Sequence, residues 1–306
     1  MPRSRVKNSL PKPDVARTPG LTSVVIVAAD SGEDLGACVE CILASTVPVE
    51  VIVSDNDSRD GSIDALATRW RDEPRLRILR NGSNLGFGAG CNRGAAQARG
   101  DVLLFLNPDC RIEPDTIARL RALMLPDIGV VGAAIIATDG MPEPASRRCD
   151  PYLRRAAMGM LGRGGVNMAE DAMDVQPVDI VSGAAMLLPR AAFEAVDGFD
   201  EGYFLHCEDI DLCRRVRDAG LRVVCANAVR ILHAKGTSSR TRPFFVAYHK
   251  HRGMWRWFRK FDPAARNPLL RVLVWCGLWA HYVLLTPRYA FSCLSRWRER
   301  PRRRRG

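Results

Sequence analysis

The chain has 306 residues, 47% of them hydrophobic, and its 45 Lys and Arg residues outnumber its 34 Asp and Glu residues, giving a formal net charge of +11. A chain of this size can bury a complete α/β core with an appendage. Its ten cysteines show no framework spacing, which argues against a disulfide-stapled secreted domain and favours a reducing compartment. Residues 1–20 are basic and proline-rich without an apolar core, so we expect a disordered tail rather than a signal peptide.

Residues 23–106 alternate between apolar runs and amphipathic stretches. Continuous apolar runs are typical of strands buried on both faces of a parallel sheet. The pattern predicts strands over 23–29, 49–54, 75–79 and 102–106, and helices over 35–43, 63–70 and 88–98, with Ser62 as the N-cap of the second helix. Strands that alternate with helices indicate an α/β fold with a mostly parallel sheet flanked by helices.

Acidic residues follow three of these strands. Asp30, Asp55 and Asp109 come after the first, second and fourth strands, and ligands bind at the carboxyl ends of strands in open α/β sheets. A hard divalent cation on a diphosphate needs only one or two protein carboxylates, because phosphate and water oxygens fill its other positions. The three acids therefore predict a nucleotide and metal site. For Asn107-Pro108-Asp109 taken alone, a simple Asx-type turn is the alternative.

A second acidic cluster lies in residues 204–216. It holds Glu208, Asp209 and Asp211 within four positions, beside apolar residues and next to an amphipathic helix. Crowded carboxylates repel one another and lose solvation, so they usually bind a metal or substrate or transfer a proton. A helix N-terminus decorated with acids, which the helix dipole favours, is the alternative. The acidic site upstream favours the functional interpretation.

Seven segments follow the order of one enzyme family and cover roughly residues 21–240. They are SVVIVAADSGEDL (23–35), VSDNDSRDGS (53–62), NLGFGAGCNRG (84–94), LLFLNPDC (103–110), VSGAAMLLPR (181–190), GFDEGYFLHCEDIDLCRRVRDAGLRV (198–223) and HAKGTSS (233–239). On these segments the chain resembles the inverting family 2 glycosyltransferases, and most of all their bacterial rhamnosyltransferase branch. The resemblance implies a GT-A fold, which is a Rossmann-like α/β domain.

The resemblance also implies roles for matching residues. Asp30 and Asp55 would contact the base and ribose of a nucleoside diphosphate sugar, while Asp109 and His233 would hold Mg or Mn. Asp209 matches the general base that deprotonates the acceptor hydroxyl. The other implied residues are Asn84, Gly90, Asn92 and Asn107 around the nucleotide sugar, Glu208 beside the base, and Gly183 and Asp211 on the acceptor side.

The chain departs from the family pattern at two places. The family commonly has a polar or aromatic pair after the first strand, and here Ala28-Ala29 removes contacts to the base. Asn107 stands where the first acid of the usual Asp-x-Asp motif is expected, which weakens the implied metal affinity, although this branch tolerates neutral residues there.

Three further motifs have simpler explanations. Gly86-Phe-Gly-Ala-Gly90 resembles a dinucleotide fingerprint, but such a fingerprint belongs in the first βα turn, here residues 29–34. Cys38 and Cys41 form a C-x-x-C inside a predicted helix without a second metal-spaced pair, so packed thiols are expected. For His206, beside the acidic cluster, substrate contact and an ordinary loop position fit equally well.

Residues after 240 change character. Residues 244–261 mix aromatic and basic side chains at helical spacing, and 269–285 are mostly apolar but interrupted by Arg271 and His281. A spanning helix needs about 20 apolar residues, and residues 269–285 fall short of that length. We therefore predict amphipathic helices lying on an anionic membrane surface. A membrane-dipping segment, or a helix packed on the catalytic domain with a solvated basic tail, is the alternative. Nucleic-acid binding is not expected, because it would explain none of the acidic sites.

Residues 141–177 show little periodicity. Such long segments are usually functional or disordered. One hypothesis is a mobile acceptor-side flap whose arginines meet a lipid diphosphate, and a disordered insertion fits equally well. The arginines concerned are Arg147, Arg148, Arg154 and Arg155.

The sequence thus predicts a metal-dependent inverting glycosyltransferase at the cytoplasmic face of the cell membrane. Its predicted parts are a tail (1–20), a GT-A domain (21–240) and a membrane-associated helical extension (241–306). The resemblance favours transfer of L-rhamnose from dTDP-L-rhamnose to a polyprenyl-diphosphate-linked saccharide in cell-wall or surface-polysaccharide synthesis. The alternatives are a family 2 transferase with another donor, such as a UDP-hexose, and a non-catalytic nucleotide-sugar-binding subunit. The sequence leaves a homo-oligomer open.

Overall fold

The computed structural model describes residues 16–160, 165–234 and 242–299. Its strands are β1 (Thr18–Ala28), β2 (Val49–Asp55), β3 (Leu76–Arg80), β4 (Gly100–Leu106), β5 (Cys110–Arg111), β6 (Ile128–Ile136), β7 (Arg147–Arg148), β8 (Val175–Pro177), β9 (Ile180–Val181), β10 (Ala185–Pro189) and β11 (Arg222–His233). Its helices are α1 (Gly32–Leu43), α2 (Ser62–Arg69), α3 (Phe87–Gln97), α4 (Thr116–Ala122), α5 (Leu153–Met160), α6 (Arg190–Ala195), α7 (Glu208–Asp218), α8 (Pro243–Phe261) and α9 (Pro268–Glu299).

The central sheet has nine strands in the order β3-β2-β1-β4-β10-β6-β11-β5, with β8 paired to β11. Strands β1 to β4 pair with one another in parallel, β10 lies antiparallel between β4 and β6, and β11 is parallel to β6. Helices cover both faces, so the predicted α/β fold with a sheet flanked by helices is confirmed. The sheet is mixed rather than mostly parallel, because β10 is antiparallel to both of its neighbours and β11 is antiparallel to β5 and β8. The antiparallel direction of β10 could not be predicted, because a short apolar run shows the same pattern whichever way the strand runs.

The seven elements predicted over residues 23–106 all form. Strand β1 begins at Thr18, so the end of the predicted tail belongs to the sheet, while residues 1–15 lie outside the described part of the chain. The prediction that Ser62 caps α2 is wrong. Gly61 precedes the helix with a φ of 81°, and the Asp60 carboxylate accepts a hydrogen bond from the Ser62 backbone N–H at 3.1 Å.

The core lies in two layers, one on each side of the sheet. Alternate residues of β1 point to opposite layers, with Val24 and Ile26 on the side of α1, and Val25 and Val27 on the side of α3. This alternation is why the strand reads as a continuous apolar run. Both faces are covered, so ligands have access to the sheet mainly at the ends of its strands.

The described parts of the 141–177 segment are folded onto the domain. Strand β7 pairs with β9, and Arg147 is buried with its guanidinium 2.6 Å from Asn227 Oδ1 and 2.8 Å from Glu170 Oε2. For these parts the disordered-insertion alternative is wrong. The hypothesis that Arg147 meets a lipid diphosphate is wrong too, because its side chain is committed inside the protein.

The C-terminal helices form a hairpin on the domain. Trp257 of α8 is fully buried in the core. Helix α9 runs back along α8, with His251 Nε2 3.0 Å from His281 Nδ1 and the Tyr248 ring 5.6 Å from the Trp279 ring. Within the described residues, α9 is the one helix long and apolar enough to cross a membrane, over Pro268–Arg288. The expectation that this segment is too short for a span is therefore corrected.

Candidate active site

Three acidic residues line one edge of the sheet, as predicted. Strands β2, β1 and β4 are adjacent and parallel, so Asp55 at the end of β2, Asp30 after β1 and Asp109 after β4 lie at the same carboxyl edge. In the register of β1 and β2, Ala28 lies opposite Asp55. This edge is where open α/β sheets bind their ligands.

Backbone hydrogen bonds hold Asp30 and Asp55 in place. The Asp30 carboxylate accepts from the backbone N–H of Arg59 at 2.8 Å, and the Asp55 carboxylate accepts from that of Ser58 at 3.0 Å. Asp30 itself has a φ of 54°, a left-handed conformation that costs free energy unless its surroundings fix it. The loop after β2 therefore folds over the end of β1 and sets the positions of both acids.

A network of asparagine side chains supports this edge. The Asn56 side chain donates to the Gly86 carbonyl at 3.0 Å and accepts from Asn81 Nδ2 at 2.9 Å, and its amide nitrogen lies 3.4 Å from Asn84 Oδ1. Asn84 is thus beside the predicted site, where its oxygen also accepts from the Gly86 N–H. Asn56 and Asn81 were not predicted from the sequence. The one signal for either residue is that Asn56 directly follows Asp55.

Two residues predicted to line the nucleotide pocket have other roles. A Cβ at Gly90 would lie 2.9 Å from Val27 Cγ1, so glycine is needed there for α3 to pack on β1. The Asn92 side chain accepts from the Phe199 N–H at 2.9 Å and donates to the Phe199 carbonyl at 2.9 Å. Its amide therefore fastens α3 to the loop before α7. That these two residues also line the nucleotide pocket stays a prediction.

The candidate metal ligands Asp109 and His233 come together because β5 pairs with the end of β11. His233 Nε2 lies 3.2 Å from Asp109 Oδ1 and 3.4 Å from the amide nitrogen of Asn107, and His233 Nδ1 lies 3.0 Å from Glu143 Oε1. Glu143 is a partner that sequence analysis missed. A carboxylate on the far nitrogen of a ligating histidine fixes the orientation of the ring and makes it a stronger ligand.

This group of side chains fits a divalent cation. Asp109, Cys110 and His233 have ligand atoms within 4.8 Å of one another. Burial raises the pKa of the Cys110 thiol well above its usual value, so it stays protonated, and the carboxylate and imidazole remain as donors. Burial alone would lower the pKa of His233, but hydrogen bonds and charges from Asp109 and Glu143 raise it. A carboxylate and an imidazole are both common ligands of divalent cations in proteins.

The candidate base Asp209 lies at the start of α7. His206 and Cys207 have φ values of 65° and 71°, a sharp turn that brings Glu208 and Asp209 to the helix N-terminus. Asp209 Oδ2 accepts from Arg148 Nη2 at 2.6 Å and from the Gly183 N–H at 3.2 Å. Gly183 is thus next to the base, on the side predicted for the acceptor. Burial alone would raise the pKa of Asp209, but the Arg148 guanidinium lowers it, so the carboxylate is ionised.

The adjacent Glu208 differs sharply from Asp209. It is buried, and its Oε2 has no hydrogen-bond partner among the described residues. Burial first, and then the charge of Asp209, raise the pKa of Glu208 to about 8. Two neighbouring carboxyl groups with pKa values pushed apart are a common basis for acid and base roles in one site.

Asp211, predicted to lie on the acceptor side, has a structural role instead. It is fully buried and pairs with Arg215 and with Lys260 Nζ of α8, the latter at 2.6 Å. Lys260 also contacts Asp200 at 2.8 Å. Asp211 therefore fastens α8 to α7, and the prediction of an acceptor contact is corrected.

Residues 23–196 match the model of the family described as Glycosyl transferase family 2. The N-acetylglucosaminyl-diphospho-decaprenol L-rhamnosyltransferase of Mycobacterium tuberculosis is 32% identical over 264 residues, which cover 74% of this chain and 85% of that protein. The O-antigen biosynthesis protein RfbC of Myxococcus xanthus is 28% identical over 282 residues, covering 85% of this chain and 21% of that protein.

Solved structures of glycosyltransferases share the fold. The mannosyltransferase PcManGT from Pyrobaculum calidifontis, in complex with GDP-Man and Mn²⁺, has a TM-score of 0.59 at 17% identity and covers 92% of this chain and 76% of its own. GalNAc-T7 with UDP, GalNAc and Mn²⁺ has a TM-score of 0.60 at 14% identity, covering 81% and 48%. These likenesses confirm the predicted GT-A fold. With the family model spanning more than half of its residues, the chain belongs to glycosyltransferase family 2.

Proposed function

We propose that this glycosyltransferase moves L-rhamnose from dTDP-L-rhamnose to a polyprenyl-diphosphate-linked saccharide in cell-wall or surface-polysaccharide synthesis. The similarity to the mycobacterial L-rhamnosyltransferase, which spans 85% of that protein, carries the choice of sugar and acceptor. Two separate acidic centres, Asp109 with His233 and Asp209 with Glu208, support a donor side and an acceptor side within one site.

The proposed reaction is a single displacement. Asp209 takes the proton of the acceptor hydroxyl while the acceptor oxygen forms its bond to the anomeric carbon, and the nucleoside diphosphate leaves with the electron pair. Attack from the opposite face inverts the anomeric centre, so a β-linked donor gives an α-linked product. A divalent cation bound by Asp109 and His233 would stabilise the negative charge of the diphosphate. Asp30 and Asp55 would orient the base and ribose.

We also propose that α9 places the enzyme on the cytoplasmic face of the membrane. Large apolar side chains of α9 are exposed, and they are Leu269, Val272, Leu273, Trp275, Val283 and Leu284. No part of the most apolar window between Pro268 and Arg288 is buried inside the protein. Exposed apolar side chains on a helix long enough to cross a bilayer are typical of contact with lipid.

Extraction from membranes tests this second proposal. High salt releases a peripheral protein held by Arg and Lys on anionic lipids, because salt screens surface charge. A helix inserted in the bilayer stays with the membrane through both high salt and alkaline carbonate. Recovery of the full chain in the soluble fraction of cells, without any treatment, would contradict membrane association.

The test of the donor is thermal stabilisation of the full chain by a panel of nucleotide sugars, with and without Mn²⁺. A ligand at 100 times its dissociation constant adds about 2.7 kcal/mol of stability. We expect dTDP-L-rhamnose to stabilise the wild type in the presence of Mn²⁺ and Asp109→Ala to lose the effect. Asp139→Ala, which removes an exposed carboxylate, is the matched control and keeps the effect.

Each other outcome has a definite meaning. If a UDP-hexose stabilises the protein and dTDP-L-rhamnose does not, the rhamnose proposal fails and a family 2 transferase with another donor replaces it. If nucleotide sugars bind but no acceptor is glycosylated, a non-catalytic binding subunit becomes the better explanation.

A further inference from the structure

Arg148 connects the acceptor-side segment to the candidate base. It lies on β7, which pairs with β9, and its Nη2 is 2.6 Å from Asp209 Oδ2. The two side chains are only 17% and 13% exposed, so solvent screens this ion pair weakly. Nη2 also lies 3.3 Å from the Val181 carbonyl oxygen, which holds the guanidinium against β9.

The neighbouring arginine on the same strand is not equivalent. The Arg147 guanidinium donates instead to Asn227 Oδ1 and to Glu170 Oε2. By contrast, Arg148 Nε is buried and has no acceptor among the described residues. Asp209 and the Val181 carbonyl therefore do not satisfy all the donors of the Arg148 guanidinium.

The ion pair conflicts with the task of the base. When Asp209 takes a proton it loses the charge that Arg148 binds, and a buried guanidinium without a counter-ion is strongly unfavourable. Proton transfer to Asp209 is therefore disfavoured as long as Arg148 depends on that carboxylate alone. A second anion that binds the guanidinium would remove the conflict.

We propose that the ion pair between Arg148 and Asp209 acts as a latch, meaning that it keeps Asp209 from accepting a proton. A phosphate group of the acceptor opens the latch by binding the Arg148 guanidinium in place of Asp209. The proposal rests on the proposed function for the chemistry of the acceptor. The planar fork of arginine binds phosphate oxygens in pairs, which makes a diphosphate a strong competitor for a single carboxylate oxygen. Arg148 is a positioning residue in this scheme, since it acts on the reaction through Asp209.

The latch would make proton transfer depend on the acceptor. In the controlled step the acceptor oxygen bonds to the anomeric carbon, the bond from that carbon to the diphosphate breaks, the proton goes to Asp209 and the electron pair leaves with the nucleoside diphosphate. Water carries no phosphate to open the latch, so it is a poor substitute for the acceptor. The consequence is that hydrolysis of the donor is suppressed.

Binding of inorganic diphosphate to the full chain, measured by calorimetry in metal-free buffer, tests the latch without turnover. We expect Asp209→Asn to bind diphosphate about tenfold more tightly than the wild type, within the usual range for coupled sites, because Arg148 no longer has a competing carboxylate. Arg148→Gln should lose this binding, and Arg147→Gln, the matched neighbour, should keep the wild-type affinity. Arg148→Lys serves if Arg148→Gln fails to fold, and it should bind more weakly than the wild type.

Two results would overturn the latch: equal affinity of the wild type and both Arg148 variants, or no tightening in Asp209→Asn. A kinetic measurement separates the latch from a purely structural role. Arg148→Gln should raise the ratio of acceptor-independent donor hydrolysis to sugar transfer, whereas structural damage would lower both together. If the wild type turns over no nucleotide sugar, the proposed function fails, and the diphosphate measurement still decides the latch.

Discussion

The donor side and the acceptor side of this active site are built by different forces. Asp30 and Asp55 are held by backbone hydrogen bonds from one polar loop. Asp209 and Asp211 are held by buried ion pairs with Arg148 and Lys260, which come from distant parts of the chain. A substitution on the donor side should therefore change ligand binding and leave the fold intact. On the acceptor side a substitution can change both the rate of catalysis and the stability of the fold, so each variant needs a control that separates the two effects.

The largest expected effect is on turnover, from Asp209→Asn. The amide keeps the size of the side chain but cannot take the acceptor proton, and loss of a general base typically costs about 10²–10⁴ in rate. We expect kcat to fall by about this factor, while calorimetry shows an unchanged dissociation constant for the nucleotide sugar. Asp218→Asn, on the same helix but half exposed, should retain wild-type turnover. Wild-type turnover by Asp209→Asn would remove Asp209 as the base.

The next effect is on stability, from Asp211→Asn. This change removes the buried charge that Lys260 and Arg215 share, and breaking such a pair costs about 3–5 kcal/mol. Because Lys260 keeps its ion pair with Asp200, we expect the lower end of this range. Asp218 pairs with Arg214 at 2.8 Å on the surface, so Asp218→Asn should cost about 0–1 kcal/mol. Urea unfolding of the two variants measures the difference. Equal free energies of unfolding would show that Asp211 does not fasten α8 to the domain.

This same contrast explains what the sequence could predict. The edge formed by Asp30, Asp55 and Asp109 was predictable, because the apolar runs of β1, β2 and β4 place each acid directly after a strand. Proximity at that edge then follows from parallel pairing alone. The elements over residues 23–106 were predictable for the same reason.

The acceptor side depends on pairings between residues far apart in the chain. Arg148 and Asp209 are separated by 61 positions, and no local pattern distinguishes Arg148 from Arg147. Only the register of β7 against β9 sends one guanidinium to Asp209 and the other to Asn227. The role of Asp211 was mistaken for a similar reason, since its partner Lys260 lies 49 positions further along the chain, on α8.

Glu208→Gln should change the pH dependence of stability. The pKa of Glu208 is raised to about 8 in the folded protein, so the folded state keeps a proton that the unfolded state releases above its ordinary pKa. The part of the free energy of unfolding that comes from this protonated carboxyl group is therefore lost as the pH rises from about 4.5 to about 8. The glutamine cannot ionise, so the variant should avoid this loss and be more stable by a few kcal/mol above that range.

Urea unfolding over a pH series measures this difference. Glu33→Gln, at an exposed position in the first turn of α1, is the control and should follow the wild-type curve. Parallel curves for Glu208→Gln and the wild type would show that Glu208 does not carry the proton. Unlike Asp209→Asn, this variant tests the buried acid beside the base without relying on turnover.

The smallest expected effect lies on the donor side, from Glu143→Gln. Its carboxylate is 3.0 Å from His233 Nδ1, on the opposite side of the ring from Asp109. Loss of such a partner typically weakens metal affinity about 10–100-fold. Because the glutamine oxygen can still accept a hydrogen bond from the ring, we expect a loss of affinity of about 10-fold.

Titration with Mn²⁺ measures this affinity. The control is Asp139→Asn, an exposed position, which should bind Mn²⁺ as the wild type does. If Glu143→Gln binds Mn²⁺ as tightly as the wild type while His233→Ala no longer binds it, then His233 binds the ion without help from Glu143.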